Sequence, residues 1–375
     1  MVSIAIKGLI VSMKRKMLYI TTDSWWDTDV SILPDLAKNY KLEVYCSSGK
    51  NKKTNKYPEK SVPANVVFHN KYFIRSKKDI RMFFSSIFYG LKLLFASIGK
   101  TTIWVFDGNP YNAWFLIALL SKKRTIISLH NYAVHIDARS WQKLIHRFML
   151  KKFRLFHFHS PMQEALFKKD YPNKKSFSTM MPVKYFGQPN KHDSFFDNNK
   201  RTYLFFGGIR EYKRPDLFIE AANALKDKAN FIIAGYNKNW TKYKAMVDAD
   251  NSMLCFFRFI DNEEIPDFFC NVDFLVLPYD DSTQSGPLLI AYNYNLPIIA
   301  SSLPYFEDMI DNGKSGFIFN KGNLNALVEV LNKSIDMNEN DYKAMKEAMS
   351  LKVEKYKHAS SYIDLFHKFM KGNNL

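Results

Sequence analysis

Two short turns that contain glycine carry residue types suited to binding an anion. The first is GGIREYKRPD, in which Gly207 and Gly208 end an apolar run and Arg210 and Lys213 follow closely. Glycines let a backbone approach a ligand, and a guanidinium beside an ammonium suits the several oxygens of a diphosphate. An Arg/Lys pair on an ordinary solvated face is the alternative interpretation.

The second turn lies in the stretch 274–301, FLVLPYDDSTQSGPLLIAYNYNLPIIAS. A buried strand at 274–278 precedes a small polar turn that contains Ser285 and Gly286, and an apolar helix begins there. Free N–H groups and the positive end of the helix dipole favour an anion at such an N-terminus. Both turns are expected to open at the carboxyl edge of one sheet, so together they predict a diphosphate site. An ordinary strand-to-helix connection without a ligand is the alternative.

Several other phosphate and metal signatures are missing from the sequence. It contains no GxGxxG, no GxxxxGK[ST] and no Asp-x-Asp at a strand end, so a dinucleotide, a P-loop nucleotide and a bound divalent metal are poorly supported. We therefore predict neither a cofactor nor a metal site. Asp280 and Asp281 are adjacent rather than alternating, which favours hydrogen bonding to a sugar or ribose.

The elements that position these turns alternate between strand and helix. Short apolar runs separated by helical segments predict parallel sheets covered on both faces, an α/β architecture. Predicted strands lie at 17–22, 42–47, 66–69, 101–107, 125–130, 155–160, 177–183, 203–206, 231–235, 254–257, 274–278, 297–301 and 316–319.

A chain of 375 residues is too long for one typical core and predicts two domains. Periodicity fades where Asn, Asp, Pro and Gly accumulate, which marks the linker. The predicted parts are an N-terminal extension at 1–16, a first domain at 17–184, a linker at 185–200, a second domain at 201–355, and a C-terminal helix at 356–375 that returns towards the first domain.

Charge is divided unevenly between the two halves of the chain. Residues 1–200 hold 34 Lys and Arg against 13 Asp and Glu, whereas residues 201–375 hold 20 against 23. The net charge of +18 therefore comes from the N-terminal half, which favours an anionic partner there: a membrane surface, a phosphorylated lipid or a nucleic acid. Charge that serves only solubility is the alternative. The three cysteines form no disulfide or metal pattern, as is typical of a reducing cytoplasm.

The segment 75–100 is apolar and aromatic in its centre and basic at both ends. It is too short and too interrupted to span a bilayer. Two interpretations remain, an amphipathic helix lying in a membrane interface and a packed crossover helix, and the second is favoured.

Two histidines and a carboxylate follow the predicted strand at 125–130, in the order His130, His135 and Asp137. Ligands of an open parallel sheet bind at the carboxyl ends of its strands, so these side chains are candidates for holding a substrate. A core or capping histidine is the alternative interpretation.

With these residues in view, the C-terminal half resembles glycosyltransferase family 4 of the GT-B fold. The resemblance covers nearly all of 203–335 through the GGIREYK turn, FIIAGYN, FRFIDNEEIPDFFCNVDFLVLPY, TQSGPLLIAY and LPIIASSLPYFEDMIDNGKSGFIF. The N-terminal half is similar more faintly, through SLHNYAVHID, FHFHSPMQEALF and MPVKYFG. The resemblance implies two Rossmann-like domains facing a central cleft, a nucleotide-sugar donor on the C-terminal domain, an acceptor on the N-terminal domain, retention at the anomeric carbon and no essential metal.

The resemblance also implies roles for individual residues. Arg210 and Lys213 correspond to the cations that hold the donor pyrophosphate, and His130 corresponds to the acceptor-side histidine, with His135 and Asp137 as weaker candidates. The remaining correspondences are the nucleobase loop at Arg258, Phe259 and Ile260, the phosphate-cupping backbone at Ser285, Gly286, Pro287 and Leu288, and a third acidic position at Asp308.

One departure from the family pattern concerns two glutamates eight positions apart, which would fall at Thr283 and Ala291. In the family, the first contacts donor sugar hydroxyls and the second holds the ribose. Asp280 or Asp281 is a candidate for the first role, and the second has no obvious replacement.

The resulting prediction is a glycosyltransferase that moves a sugar from a UDP- or GDP-sugar to a saccharide acceptor in surface polysaccharide biosynthesis, and we expect that acceptor to be lipid-linked. We expect it in the cytoplasm, held peripherally on the anionic inner leaflet by its basic N-terminal domain. A non-catalytic partner subunit is the main alternative, because the glutamates are missing. An epimerase of the same fold and a nucleic-acid-binding protein are less favoured, the latter for lack of a reading motif.

Overall fold

A computed structural model describes residues 15–49, 62–73, 80–106, 116–129, 132, 140–190, 195–197, 199–237, 240–359 and 362–374. The chain divides into two compact units. Unit 1 comprises Met1–Met180 with Ser361–Leu375, and unit 2 comprises Met181–Ser360. Each unit is built around one parallel sheet, which confirms the predicted α/β class with two Rossmann-like sheets.

The sheet of unit 1 has seven strands in the order β3-β2-β1-β4-β5-β6-β7, and every neighbouring pair is parallel. Its strands are β1 Lys16–Thr22, β2 Lys41–Gly49, β3 Val67–Phe73, β4 Thr101–Val105, β5 Thr125–Leu129, β6 Leu155–Phe158 and β7 Lys175–Ser178. The predicted strand at 177–183 begins two residues too late and extends too far, since the chain leaves the sheet after Ser178.

Helices cover both faces of this sheet. One face packs against α2, Ile80–Ser97, α3, Ser140–Lys152, and α4, Pro161–Asp170, in a core that includes Leu93, Met149 and Phe167. The opposite face packs against α1, Trp26–Asn39, and the C-terminal helix, Tyr362–Gly372, in a core that includes Leu33 and Phe366.

The sheet of unit 2 has six parallel strands in the order β10-β9-β8-β11-β12-β13. Its strands are β8 Thr202–Phe206, β9 Asn230–Ala234, β10 Leu254–Phe256, β11 Phe274–Leu277, β12 Ile298–Ser301 and β13 Gly316–Phe319. In both sheets the strand order runs outward in one direction and then reverses. The reversal places a topological switch point between β1 and β4 in unit 1, and between β8 and β11 in unit 2.

The helices of unit 2 connect its strands and continue beyond the last one. They are α5 Pro215–Ala224, α6 Trp240–Lys244, α7 Ile265–Cys270, α8 Gly286–Asn293, α9 Pro304–Met309, α10 Leu324–Ile335 and α11 Glu339–Ala359. The C-terminal helix of unit 1, Tyr362–Gly372, is numbered α12. No helix within the described ranges is long and apolar enough to cross a membrane.

The first boundary between the units lies at residues 180–181, before the predicted linker at 185–200. The described part of segment 185–200 packs on unit 2, because the Tyr294 hydroxyl donates to the Gly187 carbonyl at 2.9 Å and the Asp267 carboxylate accepts from the Asn190 N–H at 2.6 Å. The Phe195 ring stacks on that of Phe268. The composition of the segment indicates irregular structure, but it does not indicate whether the segment packs on unit 1 or on unit 2.

A close backbone approach joins the ends of β8 and β9. A Cβ atom at Gly235 would lie 1.8 Å from the Gly207 carbonyl oxygen, and φ at Gly235 is +156°. The Gly207 N–H donates to the Ala234 carbonyl at 2.9 Å. Only glycine fits at Gly235, and this fit fixes the path of the chain as it leaves β8.

Gly235→Ala is therefore expected to lower the free energy of unfolding of unit 2 by about 3 kcal/mol or more, because the methyl group must displace the backbone. Gly187→Ala is the matched control: its φ is +102°, but nothing lies within 4 Å of the added Cβ. The control should cost about 1 kcal/mol. Urea denaturation of the two variants compares them, and equal losses would contradict the steric account.

Candidate active site

The switch point of the unit 2 sheet brings both predicted turns together. β8 and β11 are hydrogen-bonded neighbours, with Phe274 opposite Tyr203 and Leu275 opposite Leu204. The turn after β8 holds the GGIREYK residues, and the turn after β11 leads to α8. Ligands of open α/β sheets bind at this position, outside the carboxyl ends of the strands.

Gly207 is the point at which the two turns meet. Its φ is +106°, and a Cβ atom there would lie 3.2 Å from Pro287 Cγ and 3.5 Å from Lys213 Nζ. The Asp280 N–H donates to the Tyr212 carbonyl at 2.7 Å, which ties the same two turns together through their backbones. Residues that are far apart in sequence therefore line one small region.

Lys213 ends a short 3₁₀ helix, Glu211–Lys213, that follows β8. Its side chain is half-buried, and Nζ lies 5.1 Å from the centre of the buried Tyr279 ring. Burial, reinforced by the charge of nearby Arg210, lowers the pKa of Lys213 from 10.5 to about 8. The Arg210 side chain is exposed. The two cations therefore lie close enough to repel each other, and their shared role in binding a diphosphate stays a prediction.

Asp280 lies within an ion-pair network. The Arg214 guanidinium donates from Nε to Asp216 at 2.9 Å and from Nη1 to Asp280 at 3.4 Å. Arg214 itself adopts the left-handed conformation, with φ of +52°, and caps the N-terminus of α5. Asp281 is exposed. A contact of either aspartate with a donor sugar stays a prediction.

The N-terminus of α8 is built by the SGPL residues. Ser285 is its N-cap, and the Ser285 Oγ accepts from the Leu288 N–H at 3.3 Å. Pro287 has no N–H, and the N–H of Leu288 is directed to the cap, so within residues 286–288 Gly286 is the one whose amide is left for a ligand. The turn at residues 285–288 therefore offers an anion fewer backbone N–H donors than its four residues would if each N–H were available.

Lys184 is a residue of this site that the sequence did not reveal. It is 8% exposed, and its Nζ lies 3.9 Å from the position of a Cβ at Gly286. Its backbone N–H donates to the Leu289 carbonyl at 3.4 Å, which holds it against α8. Sequence reasoning made Lys184 the last residue of the first domain, whereas the structure places it in unit 2. A single lysine that follows a predicted strand does not indicate a binding site in the sequence. Its position becomes clear only from the fold, which brings it to α8.

The predicted nucleobase loop follows β10. The Arg258 guanidinium donates from Nη1 to Glu264 at 2.7 Å and to the Phe259 carbonyl at 3.1 Å. Phe259 is 37% exposed and Ile260 is buried. Asp308 is exposed on α9. An exposed aromatic ring and a buried aliphatic side chain can stack on and support a base, but the structure does not test that role.

The two positions where family glutamates are missing differ in their surroundings. Ala291 is fully buried within α8, and Thr283 is half-buried in the turn before it. Among the described side chains, no group of three His, Cys, Asp or Glu could hold a metal ion. His130, His135 and Asp137 lie outside the described residues.

One part of the chain matches a known protein family in sequence, and almost the whole chain matches solved structures in fold. Residues 200–336 match the family model described as "Glycosyl transferases group 1". Unit 2 carries a glycosyltransferase domain. The match spans β8 to β13, including both turns of the site, so the enzyme class follows from the part of the chain that holds the candidate site.

Solved structures match almost the whole chain at low identity. Sucrose-phosphate synthase from Thermosynechococcus elongatus is 10% identical, with a TM-score of 0.69, and the match covers 96% of this chain and 100% of that one. Anabaena Alr3699/HepE in complex with UDP and glucose is also 10% identical, with a TM-score of 0.69 and coverage of 96% and 99%. A glycosyltransferase from Rickettsia africae is 12% identical, with a TM-score of 0.67 and coverage of 96% and 98%. These likenesses establish the GT-B fold, while membership of family 4 stays a prediction.

One curated relative is an uncharacterized 41.2 kDa protein in the cps region of Klebsiella pneumoniae. It is 22% identical over 283 residues, which cover 70% of this chain and 77% of the relative. The match therefore extends well beyond the glycosyltransferase domain of unit 2.

The lowered pKa of Lys213 predicts a pH dependence of diphosphate binding. A diphosphate favours the charged ammonium, which free Lys213 loses above pH 8. The terminal phosphate of UDP has a second pKa of about 6, so it is already ionised at pH 8. The affinity should therefore fall as the pH rises through 8, by at most about tenfold per unit.

Calorimetric titration with UDP between pH 7 and 9.5 measures this effect. Lys213→Arg should remove the fall, because a guanidinium stays charged, and Lys213→Met should bind more weakly without the fall. A wild-type affinity that stays constant over this range would contradict the assignment of Lys213 to the diphosphate.

Proposed function

We propose that the chain transfers a sugar from a nucleoside-diphosphate donor to a saccharide acceptor. The observation that carries this proposal is the meeting of Gly207, Lys213 and Pro287 at the switch point of unit 2. Glycine backbone, an ammonium group and a helix N-terminus that lie side by side match a diphosphate in charge and in the hydrogen-bond donors it needs. The glycosyltransferase match of the same region supports it.

The leaving diphosphate is the group that the site must stabilise. When the acceptor hydroxyl attacks the anomeric carbon, the C–O bond to the diphosphate breaks, and a nucleoside diphosphate and a proton are released. Arg210, Lys213 and the Gly286 amide would stabilise the charge that develops on the diphosphate. Together they supply that stabilisation without an essential metal.

We infer a UDP-sugar as the donor, with a GDP-sugar as the other choice. Anabaena Alr3699/HepE, of the same fold, has been solved with UDP and with UDP-glucose. The base would lie against Arg258, Phe259 and Ile260. Asp280 or Asp281, together with Asp308, would contact sugar hydroxyls, and of the first two Asp281 is the one that is not paired with Arg214.

The acceptor side of the proposal rests on unit 1. His130 would position the acceptor hydroxyl, with His135 as a second group, and the product would retain the configuration of the anomeric carbon, as the resemblance to family 4 implies. A relative in the cps region supports a role in surface polysaccharide biosynthesis. We further propose a lipid-linked acceptor at the anionic cytoplasmic leaflet, because the N-terminal half is strongly basic. No nucleic acid is involved in this proposal.

Arg210→Ala is expected to weaken UDP binding by about 10- to 100-fold, which corresponds to the loss of one charge-assisted contact of about 1.5–3 kcal/mol. Lys228→Ala is the matched control, because it removes a cation of unit 2 whose Nζ contacts Asn332 on α10 at 3.1 Å. Calorimetry with UDP, GDP, ADP and dTDP, with and without magnesium, makes the comparison. Failure of all four nucleotides to bind would contradict the proposed donor site and favour a non-catalytic partner subunit.

His130→Ala should lower the rate of sugar transfer by about 100-fold while leaving the Kd for UDP unchanged, because His130 is assigned to the acceptor and not to the donor. Donor turnover in the presence of acceptor is followed by release of UDP. A variant that loses UDP binding to the same extent as turnover would contradict this division of roles.

A further inference from the structure

Helices α2 and α3 cover the same face of the unit 1 sheet. Leu93 of α2 and Ile145 and Met149 of α3 are buried in one core with side chains of β1, β4, β5 and β6. The opposite sides of both helices therefore face away from the sheet. The sequence left two interpretations of α2, and its buried residues confirm that it is a packed crossover helix.

The outward side of α2 is nevertheless apolar along its described length. Its exposed side chains, between 37% and 71% accessible, recur at intervals of four and three residues, as one stripe of a helix does. They continue one residue past the end of the helix and comprise Phe84, Phe88, Leu91, Phe95 and Ile98. Single exposed apolar residues are ordinary, but a continuous stripe of this kind marks an interaction surface.

The outward side of α3 mixes apolar residues with cations. Leu144 and Phe148 are both 45% exposed, and the exposed residues beside them are Lys143, Arg147 and Lys151. Neither α2 nor α3 contains an aspartate or a glutamate. Apolar side chains flanked by cations, without a carboxylate, are typical of helices that lie in a membrane interface.

A basic basin adjoins the C-terminal end of α3. It encloses 960 Å³, and its cations are Lys122, Lys123, Arg124, Lys151, Lys152, Arg154, Lys174 and Lys175. No carboxylate lines it. Loops before β5, β6 and β7 supply most of these cations, so the basin lies at the amino edge of the sheet, opposite the edge at which an open sheet binds its ligands.

Two cations of the basin, Lys152 and Lys174, are held in place by hydrogen bonds to backbone carbonyls. Lys174 Nζ donates to the Phe153 carbonyl at 2.7 Å, and Lys152 Nζ donates to the Ala118 carbonyl at 2.7 Å. Burial lowers the pKa of both lysines, and the neighbouring charges of Arg154 and Lys122 lower it further. Bound anions would relieve this repulsion between like charges.

We propose that the α2–α3 face, defined as the exposed stripe of α2, the outward side of α3 and the basin, docks on a lipid bilayer with anionic headgroups. The apolar stripe of α2 inserts at the boundary between the headgroups and the acyl chains, and the basin binds headgroup phosphates. A second copy of the chain fits less well, because a two-fold interface would bring the two basic clusters towards each other. The inference deepens the proposed membrane partner and does not depend on the donor site.

Flotation of the full chain with vesicles tests this surface. Binding should be strong on phosphatidylcholine with phosphatidylglycerol, weak on phosphatidylcholine alone, and reduced by salt. Phe88→Ser combined with Phe95→Ser should lower partitioning at least about tenfold. The matched control is Leu351→Ser, which changes a residue of α11 that is similarly exposed, at 67%, and should leave partitioning unchanged. Wild-type binding by the double phenylalanine variant would overturn the proposal.

A second pair of variants tests the basin. Lys122→Gln combined with Lys123→Gln should weaken binding to anionic vesicles by about 30-fold, which corresponds to about 1 kcal/mol for each of the two cations. Equal binding of this variant, or dimerisation of the wild type through Phe88 without vesicle binding, would overturn the proposal. So would binding to a soluble polyanion such as DNA that persists while vesicle binding is absent. UDP calorimetry on the same samples measures the donor site independently of membrane binding. Loss of vesicle binding with normal UDP binding would count against the α2–α3 face alone, and loss of UDP binding with normal vesicle binding would count against the donor site alone.

Discussion

The candidate site depends on the close packing of backbone around Gly207. The chain leaving β8 passes so near Gly235 that a Cβ there would lie 1.8 Å from the Gly207 carbonyl oxygen, and Pro287 closes the opposite side. Because Gly207 has no side chain, the turns after β8 and β11 can approach each other and Lys213 can reach the space between them. Any side chain at Gly207 would occupy the volume that a diphosphate needs.

This packing concentrates positive charge without an equal amount of negative charge. Lys213 loses part of its proton affinity through burial and through Arg210, and Lys184 is brought to the N-terminus of α8. Two carboxylates of this region are neutralised by other cations, since Asp280 pairs with Arg214 and Glu264 pairs with Arg258. This arrangement of charges is the one that the proposed diphosphate site requires, because preorganised positive charge stabilises a leaving diphosphate.

Much of this arrangement could be predicted from the sequence, because strand periodicity and glycine placement are local signals. Twelve of the thirteen strands were predicted close to their positions, the strand predicted at 177–183 overlaps β7 by only two residues, and the two turns meet as their common sheet edge requires. Lys184 and the Asp280 ion pair were not predicted, since each depends on a neighbour distant in sequence. The unit boundary was misplaced for the same reason: hydrogen bonds from Asn190 and Tyr294 hold an irregular segment on unit 2.

The most direct test of the account is a crystal structure of the full chain with UDP bound. The account predicts that the diphosphate lies at the end of β8, within hydrogen-bond distance of Lys213 Nζ, the Arg210 guanidinium and the Gly286 N–H, with the base against the loop that contains Phe259. An ordered diphosphate that contacts none of these three groups would contradict the assignment of the site.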